Sequence, residues 1–379
     1  MDLEPTEQQR AVVNMVREFA EREIAPGSSE RDITEEFPAE ILRKMGDLGL
    51  MGIMIPEKYG GSGMDAVTYS MVIEEISKAC SSVGALTSVH NSFAPYMIYK
   101  WGNREQRERF IPPLAKGEKY GMFAATEPNA GSDLGSISTT ATLEGDHYVV
   151  SGSKTFISGG AKAETGIIFA ITDREIGARG ISAFIVESSY KGYKVGPIFE
   201  KMGIHASETS ELIFEDMEVP KENLLGNEGD GFKIALVAID GGRIGIASQA
   251  VGIAQRCLDE AIARSRERIQ FGKPIGKLQA IQWMLAEMST RIEASRLLTR
   301  QAAYLKDKGV RFSKEVAMAK LMAGETAVFC ADRSLQIHGG YGYMKDHSIE
   351  RLYRDAKITE IYEGTSEVQK LVIASQLLK

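Results

Sequence analysis

The sequence predicts an α+β multidomain protein with an N-terminal all-α domain, a middle antiparallel β-barrel domain and a C-terminal four-helix bundle. Three observations predict it. Apolar residues recur at helical spacing over the first 120 positions, then give way to short β-type runs punctuated by Gly, Ser and Asp, and long helical periods return from Phe232 onward. Strands at that spacing, with no helical pattern between them, form a small barrel or sandwich. The expected units are 1–120, 121–230 and 231–379 of the 379 residues.

Taken in order, Thr6-Glu7-Gln8-Gln9 fits a capping box, and Val12, Met15, Val16, Phe19 and Ile24 follow at helical spacing until Pro26-Gly27. Pro38 opens a second helix with Ile41, Leu42, Met45 and Leu48 on one face. After Gly60-Gly61-Ser62-Gly63, Asp65 is placed to cap a third, carrying Val67, Met71, Val72, Ile76 and Cys80. In the middle region Tyr148-Val149-Val150, Ser151-Gly152-Ser153 and Thr155-Phe156-Ile157 read as a hairpin, with further strands over Ile167–Ile171, Ile181–Val186 and Leu212–Phe214. Four long helices are expected near 232–268, 278–308, 313–337 and 366–378.

Composition bounds the function. Apolar residues make up 43% and charged residues 26%, as in soluble globular proteins. Net charge is −7 with both signs interspersed, so the one-sign basic patch of a nucleic-acid binder is missing. Cys80, Cys257 and Cys330 are odd in number and far apart, which suits small core residues in a reducing compartment. The five histidines show neither HxxxH nor HExxH spacing, and no metal site is expected. Met1–Gln9 carries acids without a signal or transit pattern, and nowhere do 18 uncharged apolar residues run together; a cytoplasmic protein is expected, and a mature mitochondrial-matrix form fits the same sequence.

Neither GxGxxG after a strand nor GxxxxGK[ST] occurs, so a nucleotide-like cofactor must be held in another way. Phe123-Ala124-Ala125-Thr126-Glu127-Pro128-Asn129-Ala130-Gly131-Ser132-Asp133 stands where the helical region meets the β region. Its small residues let backbone N–H groups and the Thr126 and Ser132 hydroxyls approach a flat polar edge, although Pro-Asn and Gly-Ser-Asp also make ordinary turns. In Ile361-Tyr362-Glu363-Gly364-Thr365-Ser366, Ser366 with Gln369 reads as a capping box for the last helix, which leaves Glu363 in the loop before it. A desolvated carboxylate there gains the basicity that C–H proton abstraction needs; a solvated Glu is the plainer alternative. Asp240-Gly241-Gly242-Arg243 interrupts a long helical pattern at a cost of roughly 1 kcal/mol per Gly, which suggests close approach of a ligand or backbone. Arg268–Gly272 and Gln336–Gly342 read as helix C-termini with Gly stops.

Together these motifs resemble the acyl-CoA dehydrogenase family over essentially the whole chain. The resemblance implies the family's helical–β–helical fold and FAD-dependent dehydrogenation of an acyl-CoA thioester to a trans-2-enoyl-CoA. Glu363 then matches the base that removes the α-proton while the β-hydrogen leaves as hydride to flavin N5, and its backbone N–H, with a flavin ribityl hydroxyl, holds the thioester oxygen. Phe123, Ala125, Thr126 and Ser132 match flavin contacts, Ser132 also lying near the CoA portion. Phe156, Ile157 and Ser158 match the strand behind the isoalloxazine, where several relatives have Trp-Ile-Thr. Arg268, Phe271 and Gln279, with Gln336 and Gly340 of a neighbouring subunit, resemble contacts to the ADP half of FAD, and Thr365 and Glu367 its diphosphate and adenosine side. Asp240, Arg243 and Gly364 match acyl-CoA contacts. A homotetramer built as a dimer of dimers, and electron-transfer flavoprotein as acceptor, are implied as well. Gly84-Ala85-Leu86-Thr87 before Ser88-Val89 lacks the Arg of the glutaryl-CoA branch, and Asp240–Gly252 looks most like the short-chain members. An enoyl-CoA reductase running in reverse, or a non-catalytic acyl-CoA-binding relative, shares the same residues.

Overall fold

The computed structural model describes residues 4–378; Met1–Leu3, part of the acidic N-terminal stretch, and Lys379 lie outside it. Seven helices come first: α1 (Glu7–Phe19), α2 (Ser28–Thr34), α3 (Ala39–Asp47), α4 (Ala66–Ala79), α5 (Ser81–Ser92), α6 (Ala94–Trp101) and α7 (Arg104–Ala115). The Thr6 hydroxyl accepts from Gln9 N at 3.2 Å while Gln9 Oε1 accepts from Thr6 N at 3.0 Å, which satisfies two otherwise orphaned donors. Asp65 caps α4 by accepting from Thr68 N at 2.7 Å. On α3, Leu42 and Met45 are buried, whereas Leu48 falls just past the helix and is exposed.

The β region comprises β1 (Gly121–Ala124), β2 (Thr140–Glu144), β3 (His147–Ser158), β4 (Thr165–Ile171), β5 (Ile181–Glu187), β6 (Tyr193–Ile198), β7 (Thr209–Pro220) and β8 (Leu224–Leu225). The sheet order is β6-β7-β3-β2-β4-β5-β8, with β1 paired to β4. Pairing is antiparallel except that β1 and β2 each run parallel to β4. The hairpin expected inside 148–157 is one continuous strand, β3. Gly152 mimics a turn signal there, but its extended positive-φ conformation (φ 151°) marks a bulge against β7, and a Cβ on it would lie 2.5 Å from Thr139 Oγ1. The turn that does occur, at Gly145-Asp146, joins β2 to β3.

The chain then enters α8 (Gly231–Glu267), a two-stranded hairpin of β9 (Ile269–Gln270) and β10 (Lys273–Pro274), α9 (Gln279–Asp307), α10 (Ser313–His338), α11 (Ser348–Ile358) and α12 (Ser366–Leu377). Helix α11 is one more than expected, being short and half polar. Helix α8 ends where expected, with Arg268 as its C-cap, but Gly272 is not its stop: Phe271 and Gly272, both at positive φ, turn the β9–β10 hairpin that follows. Helix α8 runs unbroken through Gly241-Gly242 and packs against α4, α5, α9 and α10. It is long and apolar enough to cross a membrane, but 78% of its most apolar stretch is buried inside the fold, as expected of a core helix. Each fully buried Ile on it, such as Ile244 or Ile253, contributes about 1.5–3 kcal/mol of transfer free energy.

Candidate active site

Between α11 and α12 the chain makes a tight loop closed by Ser366 N donating to Glu360 O at 2.9 Å. Within it Glu363 and Gly364 both take positive φ, 53° and 95°. For Glu that conformation is strained, and it turns the side chain inward instead of out to water. The carboxylate comes to rest over the bare backbone of α8: a Cβ built on Gly242 would lie 2.3 Å from Glu363 Oε2 and 2.8 Å from Phe93 Cζ. Of the paired glycines, Gly242 therefore marks a close approach within the continuous helix, with Glu363 and Phe93 as its neighbours, whereas a Cβ on Gly241 would meet only the Lys306 ammonium at 3.5 Å.

Both Glu363 carboxylate oxygens are shielded from solvent and have no hydrogen-bond partner among the described residues. Burial pushes the carboxyl up to about 8, against the opposing pull of the Lys320 and Arg243 charges. Between the ordinary Glu value and about 8, folding takes up a proton, so this group's stabilising contribution is full at acid pH and is lost as pH rises through that window. The stability of the parent protein is therefore expected to fall relative to Glu363→Gln as pH rises to about 8 and to level off above it. Denaturant melts of both proteins across that range measure the difference, and a constant gap would contradict the buried, raised carboxyl.

The loop's carbonyls are held from three elements. Arg243 Nε on α8 donates to Glu363 O at 3.2 Å. Gln369 Nε2 on α12 donates to Glu363 O at 3.3 Å and Gly364 O at 2.8 Å. Lys320 Nζ on α10 donates to Gly364 O at 2.7 Å. Arg243 also donates to Asp240 Oδ1 at 3.0 Å, and Ser313 Oγ holds the other Asp240 oxygen at 2.6 Å. The capping group of α12 is Thr365, accepting from Val368 N at 3.3 Å; this corrects the Ser366–Gln369 box, since Gln369 turns back to the loop instead.

Phe93 connects this loop to the segment at the β-region entrance. Its ring stacks on Phe123 at 4.2 Å, and Phe123 meets Phe169 edge-on at 5.1 Å. Thr155 N donates to Thr126 O at 2.9 Å, tying the Phe123–Ser132 segment to the Phe156–Ser158 end of β3. A buried ion pair reinforces the tie. Lys154 Nζ lies 2.7 Å from Glu127 Oε1, and Glu127 also accepts from the Ser138 hydroxyl and N–H and from Thr139 N. Beside this join, Ala125 and Ile157 are buried, Ser132 is exposed, and the Phe156 ring stands 64% exposed on a positive-φ backbone.

The structure thus gathers Glu363, Gly364, Asp240 and Arg243 into one cluster and brings Phe123 against it through Phe93. It does not bring Arg268, Phe271, Gln279, Gln336 or Gly340 there. These are exposed, and Arg268 lies 25 residues beyond Arg243 along α8, about 37 Å at the helical rise. Thr365 caps α12 and Glu367 sits exposed in its first turn. Sequence reasoning missed Phe93, Lys320 and the Lys154–Glu127 pair. A signal existed for Lys320, which falls on the stripe Val316, Ala319, Ala323, Ala327 that α10 buries.

Three consecutive family models match the chain: acyl-CoA dehydrogenase N-terminal domain over residues 6–118, middle domain over 122–217 and C-terminal domain over 229–378. The chain belongs to the acyl-CoA dehydrogenase family. Within this family of oxidoreductases it is 51% identical over 379 residues, all of both chains, to the short-chain specific acyl-CoA dehydrogenase of Clostridium acetobutylicum. It is also 51% identical over 381 residues to the NADH-linked acryloyl-CoA reductase of Anaerotignum propionicum, covering all of this chain and 96% of that protein. Among solved structures it superposes on butyryl-CoA dehydrogenase from Megasphaera elsdenii with a TM-score of 0.98 at 43% identity, each chain fully covered. A chain in a structure described as the electron-transferring flavoprotein of Acidaminococcus fermentans gives a TM-score of 0.99 at 47% identity, again with full coverage of both. The acyl-CoA dehydrogenase fold expected from the sequence is thereby established.

Proposed function

We propose that this acyl-CoA dehydrogenase oxidises a short- to medium-chain, straight or branched acyl-CoA to its trans-2-enoyl-CoA, with Glu363 as the base. The observation that carries this reading is the buried, unpartnered Glu363 carboxylate held against Gly242 and Phe93. A free carboxylate is too weak a base for the α C–H of a thioester at neutral pH. Burial raises its proton affinity, and excluded water keeps it from being levelled. Glu363 takes the α-proton on its carboxylate, while its backbone N–H is assigned to the thioester oxygen, where negative charge develops. Arg243, Gln369 and Lys320 hold the Glu363 and Gly364 carbonyls, the two peptide groups that follow that N–H in the turn.

The residues present fit FAD. The Phe123–Ser132 and Phe156–Ser158 segments lie side by side, tied through Thr126 and Thr155, and offer an exposed aromatic face with small-residue backbone beside it. When bound, FAD supplies acceptance of the β-hydrogen as hydride, so that the α-proton on Glu363 and two electrons balance the new double bond. Phe123, Ala125, Thr126, Ser132, Phe156, Ile157 and Ser158 are the residues that would hold its ring end, and Thr365 and Glu367 would serve its diphosphate and adenosine side. Electron-transfer flavoprotein is the acceptor in this reading, by family resemblance.

Arg268, Phe271, Gln279, Gln336 and Gly340 are assigned to the ADP half of a cofactor bridging two subunits of a dimer-of-dimers tetramer. Their exposure, and the separation of Arg268 from Arg243 along α8, support that assignment. Arg268→Ala is expected to lower flavin retention and tetramer integrity together, read by gel filtration with absorbance at flavin wavelengths. Loss of neither would remove the bridging role.

The direct test is anaerobic titration of the flavin-loaded protein with saturated acyl-CoAs from propionyl to palmitoyl, plus isobutyryl, isovaleryl and cyclohexanecarbonyl thioesters. Bleaching by one length or branch class is expected and identifies the substrate. The relative named acryloyl-CoA reductase favours a second reading, the same chemistry run backward. No bleaching by the panel, with reoxidation of the reduced flavin by an enoyl-CoA, would establish that one.

A further inference from the structure

Lys320 is a lysine buried to within 1% of its surface in the middle of α10, and no carboxylate forms an ion pair with it among the described residues. A long cation is rarely found so deep without a carboxylate partner. Its one hydrogen bond goes to a neutral acceptor, the Gly364 carbonyl at 2.7 Å, beside the residue read as the base. Gln369, itself fully buried, already donates to the same oxygen at 2.8 Å, so a lysine is not needed merely to satisfy that carbonyl. What Lys320 adds is a positive charge on the protein side of the loop, present while its ammonium keeps its proton. We infer that Lys320 is a positioning residue for Glu363: its ammonium locks the left-handed 363–364 turn, and its charge sets the pH at which the Glu363 carboxyl becomes a base. This inference rests on the reading of Glu363 as the base.

The groups that act on Glu363 come from every side. Lys320 acts on it from α10 and Arg243, with its partner Asp240, from α8; the Tyr69 hydroxyl on α4 and Tyr362 in the loop also face it and are themselves raised by its charge, while Glu360 and Glu367 act on Lys320 from the loop and from α12. Arg243 divides its charge with Asp240, to which it is bonded. Lys320 has no such partner, so its field reaches Glu363 less compensated. Burial lowers the Lys320 pKa and raises that of Glu363, so both sit where small changes in field alter protonation near neutral pH.

Two variants separate the charge from the clamp. Lys320→Gln retains a donor for Gly364 O and removes the charge; Lys320→Arg retains the charge. The measurement is single-turnover anaerobic bleaching of the flavin-loaded protein by butyryl-CoA, or by the acyl-CoA the panel selects, as a function of pH. For Lys320→Gln the acid limb is expected to move up by about one pH unit, with bleaching about tenfold slower below it and the high-pH plateau and flavin content kept. For Lys320→Arg the limb stays at the parent's position. An unmoved limb in Lys320→Gln overturns the inference, as does a plateau loss without a shift, which is what a purely structural lysine gives. Should Lys320→Gln fail to hold flavin, Lys320→Arg decides, because a displaced limb there also overturns it. Glu363→Gln in the same assay keeps the two readings apart: bleaching by that variant sinks the base, whereas a silent Glu363→Gln beside an unmoved Lys320→Gln limb sinks only the role of Lys320.

Discussion

Glu363→Gln is expected to keep its flavin and lose substrate bleaching, by a factor on the order of 10²–10⁴. The amide is nearly isosteric and the loop is held by its carbonyls, not by the carboxylate, so the fold has no reason to change. Only the group able to take the α-proton is gone. In the parent, burial places the carboxyl at about 8, so bleaching by the free enzyme should quicken as pH rises toward that value and then level off. The variant should show no such limb. Stopped-flow absorbance at the flavin band measures both, and near-parental bleaching by Glu363→Gln would falsify the assignment of the base.

Gly242→Ala is the second large effect, and it separates stability from catalysis. The added methyl would come within 2.3 Å of Glu363 Oε2 and 2.8 Å of Phe93 Cζ, so the carboxylate and the ring must both give way. The carboxylate is the free end of a flexible side chain and moves cheaply, while Ala in place of Gly recovers roughly 1 kcal/mol of helix propensity in α8. The protein is therefore expected to fold and load flavin. Displacing a reacting group by about 1 Å costs on the order of 10²-fold in rate, and bleaching should slow by about that much. A thermal melt alongside the bleaching rate reads both halves. A rate within threefold of the parent would show that the carboxylate does not work from where the structure places it.

Why the carboxylate can be read from sequence and its surroundings only in part is a matter of range. The capping box at Thr6, the cap at Asp65 and the helical periods of α8 and α10 are local, and local chemistry is written in neighbouring residues. The pair Gly241-Gly242 announces a close approach without naming its partner, because Glu363 lies more than a hundred positions away. Phe93 carries no periodic signal at all, and its role exists only once α5 and α6 bring it over Phe123. The false hairpin at Ser151-Gly152-Ser153 arose for the converse reason: those residues suit a turn, but Thr139 packs against Gly152 and the strand continues. Arg268 and its neighbours stand apart within one chain, and the resemblance alone suggested a second subunit.

Helix α5 carries a consequence for how the molecule comes apart. All twelve of its residues are buried, including Ser, Thr, Asn and His side chains that suit an isolated helix poorly. Asn91 donates to Leu50 O at 2.9 Å and accepts from Ile53 N at 2.9 Å, while His90 Nδ1 accepts from Gly121 N at 3.0 Å, at the first residue of the sheet. Gln249 of α8 donates to Ser81 O at the other end. The helix is thus bonded to all three regions of the chain and owes its order to their joint presence. Its amides should exchange with solvent only when the whole protein opens, and cutting the chain at the boundary near residue 120 would leave the N-terminal helices without the partners that satisfy them, so the three regions fold as one cooperative unit.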